Sequence, residues 1–474
     1  MKKIFVIATA LVVLVVGCGA SGRDSQRALP GLGTPRPQPA PGPEGAPVVR
    51  GGPGEEVAVG VDFAKNIGPV RWVGIGFLSS IDVGNAPGED KIAPLRPRLW
   101  RDWRFWINGQ VGTDLYRRLA RLAPVVQFDM ANSWLDSQKS MPCQNWNAWS
   151  AHVSRIARDF KRNGINLEWL VWGEPDNGSF FGKDKCKPKD YLKLYELAFR
   201  AIRSEFPNAV VGGPGLANAN PNGWPNAKRG IVMLLDHCLA AGCEINFVSW
   251  HEYVDENVAA VSDHIGEVRR GLSDPKYARL DVRKIYIGEV VGGAAMYSPG
   301  HAVVMFAELE YGGADGAAKA CWPVPGPGEC DYNTLDGLLT QNSQPRSVWW
   351  AFRAYAAQAG RWVETKSSDP AVAALASVAD GSGRMQILIG YSGFVPSSNR
   401  PKRVSFKFSN VGPGSFQAKL ARIPNTEKQP LAKPEQVGAR RVSAPAGTIT
   451  LTLPEFRPND AYYIILEPEG GRSK

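Results

Sequence analysis

Apolar residues recur through the middle of the chain in two alternating rhythms. Short strand-like runs are "RWVGIGFL" (71–78), "RLWRDW" (98–103), "PVVQFDM" (124–130), "LEWLVWG" (167–173), "AVVGG" (209–213), "INFVSWHEY" (245–253), "KIYIGEV" (284–290) and "GADGAAKACW" (313–322). Between most of them, apolar positions fall three and four residues apart, the spacing of a helix with one buried face. "WNAWSAHVSRIARDFKRNG" is such a stretch and stops at Gly164, a suitable helix C-cap; "KDYLKLYELAFRAIRSEF" is another, ending before Pro207. Strands alternating with helices predict a parallel sheet. Eight units over about 260 residues fit an α/β fold, a (β/α)8 barrel of TIM type, in number and size. A doubly wound open sheet is the structural alternative, but no Gly-rich phosphate loop follows the first strand, which leaves dinucleotide binding without support.

After "SVWWAFRAYAAQAG" (347–360), read as the eighth helix, the rhythm changes. "QILIGYSG", "RVSFKFSN", "FQAKLARI", "TITLTL" and "AYYIILEP" are short strands separated by Gly, Pro and Asn turns. They predict a C-terminal all-β sandwich module over 363–474, packed on the barrel. The barrel itself is assigned to 57–362, and residues 19–56, rich in Pro and Gly, read as an extended tether.

The first 18 residues read as an address. Lys2 and Lys3 precede an apolar run from Ile4 to Val16, too short to span a bilayer comfortably. It leads to "VVGC", which resembles a bacterial lipobox with Cys18 as the lipidated residue; a secretory signal cut after Ala20 is the alternative. Either way the expected location is outside the cytoplasm, lipid-anchored at the cell envelope or else secreted. That location permits disulfides. Apart from Cys18 there are six cysteines, Cys143, Cys186, Cys238, Cys243, Cys321 and Cys330, which allow 15 connectivities. Pairing by proximity in sequence gives Cys238–Cys243 and Cys321–Cys330, leaving Cys143–Cys186. With no Cys-x-x-Cys and only five histidines, no metal site or other cofactor is expected. The net charge of +10 is concentrated late: from Ala371 onward there are 14 Lys/Arg against 7 Asp/Glu. Such a surface suits an anionic polymer or an envelope surface, or simply solubility; no nucleic-acid partner is expected.

In a barrel of this kind the chemistry sits at the C-terminal ends of the strands. Glu174 comes directly after the fourth strand and Glu289 ends the seventh, so the two carboxylates can face each other across the mouth. Cleavage of a glycosidic bond asks for that pairing, one carboxyl protonated and the other ionised. The plain alternative is that Glu174 caps the segment after its strand, or that both glutamates pair with arginines such as Arg101.

Five motifs in order resemble glycoside hydrolase family 39, the β-xylosidases, α-L-iduronidases and related bacterial endoglycosidases, over about residues 70 to 360. "VWGEPDN" is similar to the family's Trp-Asn-Glu-Pro acid/base motif. "YLKLYELAFRAIRSEFPNAVVGGPGLA" resembles its helix leading to a Val-Gly-Gly-Pro strand, and "INFVSWHEY" its Asp-Phe-Val-Ser-x-His-x-Tyr strand. "IYIGEV" takes the place of the nucleophile strand and "LDGLLTQNSQPRSVWWAFRAYAAQAG" that of the closing helix. The resemblance implies a retaining double displacement on a polysaccharide or oligosaccharide, with Glu174 as acid/base and Glu289 as nucleophile. It implies that His251 and Tyr253 hold the sugar and orient the nucleophile. Trp322 is a candidate stacking platform or a disulfide buttress, and Arg101 and Trp172 are candidates at the sugar site. The charge of Glu289 and burial beside Trp172 are expected to raise the pKa of Glu174. Trp103, Trp106, Trp134, Phe180, Phe181 and Trp250 either line an extended cleft or pack the loops.

One departure stands out. The family has Asn before its acid/base glutamate, where this chain has Gly173. The resemblance implies that this Asn hydrogen-bonds the sugar 2-hydroxyl, and three readings stay open: Asn132 or Asn177 takes over that contact, the sugar differs at its 2-position, or the protein is a non-catalytic glycan-binding lipoprotein.

Overall fold

In the computed structural model, the described residues are 56–81, 86–136, 138, 140–182, 185–217, 227–253, 255–320, 335–396 and 400–469. Eight parallel strands close into a barrel: Gly76–Leu78, Leu99–Asp102, Val125–Asp129, Glu168–Leu170, Val211–Leu216, Phe247–Glu252, Lys284–Val290 and Gly316–Lys319. They fall on the eight predicted runs, most of them trimmed to a hydrogen-bonded portion and the fifth shifted onward to Val211–Leu216. Leu99, Leu170, Phe247 and Ala318, from the second, fourth, sixth and eighth strands, fill the inside together with Tyr286 from the seventh. Alternate strands supplying one packed interior is the construction that makes such a barrel a solid core and not a pore.

Helix Trp146–Arg162 begins with Asn145, whose side chain accepts from the Ala148 amide, and gives way to Gly164 at φ +65°. The cap and the left-handed glycine end it where the apolar spacing stops. Helix Pro299–Gly312 is different, buried on nearly every face. A helix apolar all round needs cover on both sides. It lies between the barrel and the strands Val372–Val378 and Met385–Tyr391, so the β module does pack on the barrel.

That module is a nine-stranded sandwich, and it includes a strand that the sequence reading gave to the barrel. Glu56–Pro69 pairs antiparallel with Arg361–Ser367 and parallel with Lys402–Ser409. Val57, Val59, Val61 and Phe63 are buried while their neighbours face outward. Strict alternation serves a sheet with one wet face; a barrel strand is covered on both. Among the described residues, no helix is long and apolar enough to cross a membrane.

The disulfides Cys143–Cys186 and Cys238–Cys243 are both formed. The first ties the loop after the third strand to the start of helix Pro188–Glu205, beside the barrel mouth. Cys18, Cys321, Cys330 and Trp322 lie outside the described residues.

Candidate active site

The fourth strand ends in a backbone that few side chains adopt. Trp172 and Glu174 both have positive φ, +74° and +53°, at a cost of order 1–3 kcal/mol each. The turn is held by the Glu174 amide donating to Gly215 O at 2.7 Å and by the Asn177 amide donating to Glu174 O at 3.0 Å. Glu174 is thereby turned into the barrel mouth. The seventh strand aims Glu289 by other means. Ile287 pairs with Trp250 and Glu289 with His251, so Gly288 is an extra residue in the ladder. Such a bulge re-aims the side chain after it.

The two carboxylates meet at His251. One oxygen of Glu174, one of Glu289 and a ring nitrogen of His251 all lie within 4.8 Å of one another. His251 Nδ1 is 3.0 Å from Glu174 Oε1 and 3.6 Å from Glu289 Oε2. Its Nε2 faces Arg101 Nη1 at 3.2 Å. A guanidinium can only donate, so Nε2 accepts and Nδ1 carries the proton that reaches Glu174. Asn177 Nδ2 donates to the other Glu174 oxygen at 2.7 Å.

Arg101, buried at the end of the second strand, organises the floor. Nη1 donates to Gly288 O at 3.0 Å and to Glu289 Oε1 at 3.4 Å, and Nη2 pairs with Asp129 Oδ2. The residues before both glutamates are glycines because the guanidinium lies against them. A β-carbon on Gly173 would fall 2.9 Å from Arg101 Nη2 and 2.8 Å from Asp129 Oδ2; one on Gly288 would fall 2.9 Å from Arg101 Nη1. The atoms that a β-carbon at 173 would meet belong to Arg101 and Asp129, while Asn132 and Asn177 line the same cavity.

The electrostatics differ from the sequence expectation. Burial pushes the Glu174 carboxyl upward, but the hydrogen bonds from His251 and Asn177 and the charge of Arg101 outweigh it, and the net direction is down. Glu289 goes up: burial, with the charges of Glu174 and Asp129, prevails over Arg101 and His251. The reversal follows from His251 standing nearer Glu174. Tyr253 is raised by burial and by both glutamates, so it stays a hydroxyl donor. Asp176, whose Oδ1 accepts the Ala217 amide, is pushed up to about 6 by burial.

A cavity of about 400 Å³ opens over these groups, lined by Asn132, Asn177, Tyr253, Trp103 and Phe180 among others. The remaining aromatic candidates are core: Trp106, Trp134, Trp172, Trp250 and Phe181 are buried. Trp172 packs edge-on against Trp149 and Phe181, beneath the turn that carries Glu174, so it supports the site and does not line the cavity. Arg101, though only 2% exposed, lines the floor of the cavity. Two residues escaped the sequence reading. Asp129 ends the third strand, the position that should have flagged it. Lys319, ending the eighth, is buried, pushed down to about 8 by desolvation, and donates to the carbonyls of Ala320 and Asp336. The Glu-His-Glu trio has donors spaced for a metal ion, but the fixed positive charge of Arg101 against Glu289 and His251 works against a cation there.

Residues 133–285 match the family model "Glycosyl hydrolases family 39". This stretch of the barrel belongs to glycosyl hydrolase family 39. A β-xylosidase of Geobacillus stearothermophilus is 32% identical over 120 residues, 24% of this chain and 22% of the relative, so the match spans under a quarter of that relative's length. Two solved structures share the fold over 87% of this chain and 100% of theirs, each at 18% identity. They are N2152 of Neocallimastix frontalis, with a TM-score of 0.71, and a monomeric β-xylosidase of Caulobacter crescentus CB15, with a TM-score of 0.62. The family 39 match begins inside the third barrel unit and ends within the seventh strand, four residues short of Glu289.

Proposed function

We propose that the chain is a retaining glycoside hydrolase acting on a polysaccharide or oligosaccharide. The observation that carries this reading is the pair Glu174 and Glu289, converging at the barrel mouth with oxygens within 4.8 Å. Retaining enzymes hold their carboxyl groups about 5–5.5 Å apart, inverting enzymes further, with room for a water.

In the first step Glu289 attacks the anomeric carbon while Glu174 gives its proton to the departing oxygen, leaving a glycosyl ester on Glu289. In the second, Glu174 takes a proton from water, the hydroxide forms the new bond at that carbon, and the Glu289 carboxylate departs. The proton must therefore sit on Glu174 when the substrate is bound, although the resting site favours Glu289. His251 supplies the means. Its Nδ1–H lies 0.6 Å nearer to Glu174 than to Glu289, so a small displacement hands the hydrogen bond to Glu289. That move stabilises the ionised nucleophile and takes from Glu174 the hydrogen bond that holds it down, so that burial favours its protonated form.

The protein is read as working at the cell envelope, held by lipid on Cys18. The lysine pair, short apolar run and lipobox-like "VVGC", continuing into a Pro/Gly-rich stretch, support this. Palmitate labelling of the wild type that is lost in Cys18→Ser tests the anchor. For the chemistry, the first substrates to try are aryl β-xylosides, after the relatives, and then a panel of plant, bacterial and host glycans. Glu289→Ala abolishes turnover while sparing glycan affinity. A wild-type protein that binds glycans and hydrolyses none of them leaves the glycan-binding alternative standing instead.

A further inference from the structure

The wall of the cavity beside Gly173 is made by a carboxylate, and this decides what kind of sugar it can meet. Asp129 Oδ2 takes the Arg101 hydrogen bond and Oδ1 accepts the Ala131 amide at 3.1 Å. An ionised carboxylate has about four acceptor positions and no donor, so each oxygen keeps a free lone pair. The side chain is 10% exposed, and the cavity is where it is exposed. Because residue 173 has no side chain, nothing stands between Asp129 and a ligand seated on Glu174 and Glu289. The charge of the lining points the same way. Asp129, Glu174 and Glu289 are three carboxyl groups, and Arg101 is the one cation among the described lining residues. Both its Nη atoms are already spent on Asp129, Glu289, His251 and the Gly288 carbonyl.

Building on the hydrolase reading, we propose that Asp129 is a specificity-determining residue. It accepts a hydrogen bond from the free hydroxyl on the ring carbon next to the anomeric centre, so the site selects an uncharged sugar with that hydroxyl intact. A sulfate, an ether or a carboxylate at that place has no proton to give, and anionic sugars meet uncompensated negative charge. No basic residue of the β module is among the described lining residues.

The test is binding, kept apart from turnover by sulfur-linked aryl glycosides, whose bond resists hydrolysis. The wild type, Asp129→Asn and Gly173→Ala are titrated by calorimetry with neutral pentosides and hexosides, their deoxy counterparts lacking the neighbouring hydroxyl, and the glucuronide. The wild type binds the best neutral glycoside at least tenfold more tightly than its deoxy form or the glucuronide. Asp129→Asn keeps the shape but loses the charge, and both ratios shrink fivefold or more. Gly173→Ala, whose methyl displaces the Arg101–Asp129 pair, shrinks the hydroxyl ratio without touching the Asp129 codon, and carries the test if the first variant does not fold. Unchanged ratios in folded variants, equal affinity for the glucuronide, or no binding of any glycoside overturns the proposal. Hydroxyl-dependent binding in a protein that hydrolyses none of the oxygen-linked counterparts refutes the hydrolase reading and leaves the role of Asp129 intact.

Discussion

His251 donates through Nδ1 to Glu174 across 3.0 Å, and this contact, with the Asn177 hydrogen bond and the charge of Arg101, holds the Glu174 carboxyl down. Replacing the imidazole by Leu removes a hydrogen bond to an ion, a loss of about 1.5–3 kcal/mol. His251→Leu is therefore expected to lower kcat/KM by about ten- to a hundredfold. Its acid limb moves to higher pH, because Glu174 loses the partner that holds it down. A merely structural histidine lowers activity at all pH values alike, with the limb unmoved.

The rate against pH should be bell-shaped and unusually broad. Activity needs one proton shared by the pair. On the acid side the second proton goes onto a group held below the ordinary glutamate value of 4.5. On the alkaline side the last proton leaves a group raised above it. The two limbs belong to the pair, not to either residue. Initial rates measured across pH 3 to 9, about the range over which a perturbed glutamate titrates, check this; two limbs both below 4.5 contradict it.

Cys143–Cys186 closes a loop of sequence separation 43, which amounts to about 4 kcal/mol of unfolded-state entropy; Cys238–Cys243, with separation 5, accounts for about 2 kcal/mol. The double Cys→Ser variant of the first pair is expected to melt well below that of the second. Because Cys186 anchors the segment after Asn177 and Phe180, its KM rises more than its kcat falls. Differential scanning calorimetry with substrate kinetics reads both.

His152 is wedged among Trp106, Trp134 and Trp149, and burial, aided by Arg155, pushes it down to about 4. A histidine neutral in the fold takes its proton first in the unfolded chain. Stability from this residue is whole above its unfolded value of 6.5 and is lost as pH falls toward 4, by up to about 3 kcal/mol. Asp255, raised to about 7 by burial, works in the opposite sense, so the comparison must be with His152→Gln. The difference between the two proteins in urea unfolding should narrow from pH 7 to pH 4, since the variant has no such loss.

The strands and the two glutamates could be read from the sequence because each barrel strand is a local apolar run, and the chemistry must sit at its C-terminal end. The strand Glu56–Pro69 was not read as a strand, and its segment was given to the barrel, since its partners lie some 300 residues further on. Its alternating burial was the available clue. Gly173 could be recognised as a departure, but not its cause. Arg101, Asp129 and Gly288 come from three different strands and meet only when the barrel closes. The same is true of the direction in which His251 leans, which reverses the pKa order that charge and burial alone suggest.

The stereochemistry of the first-formed product tests the two-glutamate account most directly. Proton NMR of the anomeric signal during the opening seconds of hydrolysis should show the substrate's own configuration, with the other anomer appearing only at the rate of free mutarotation. An initial product of inverted configuration would contradict an attack by Glu289 on the sugar.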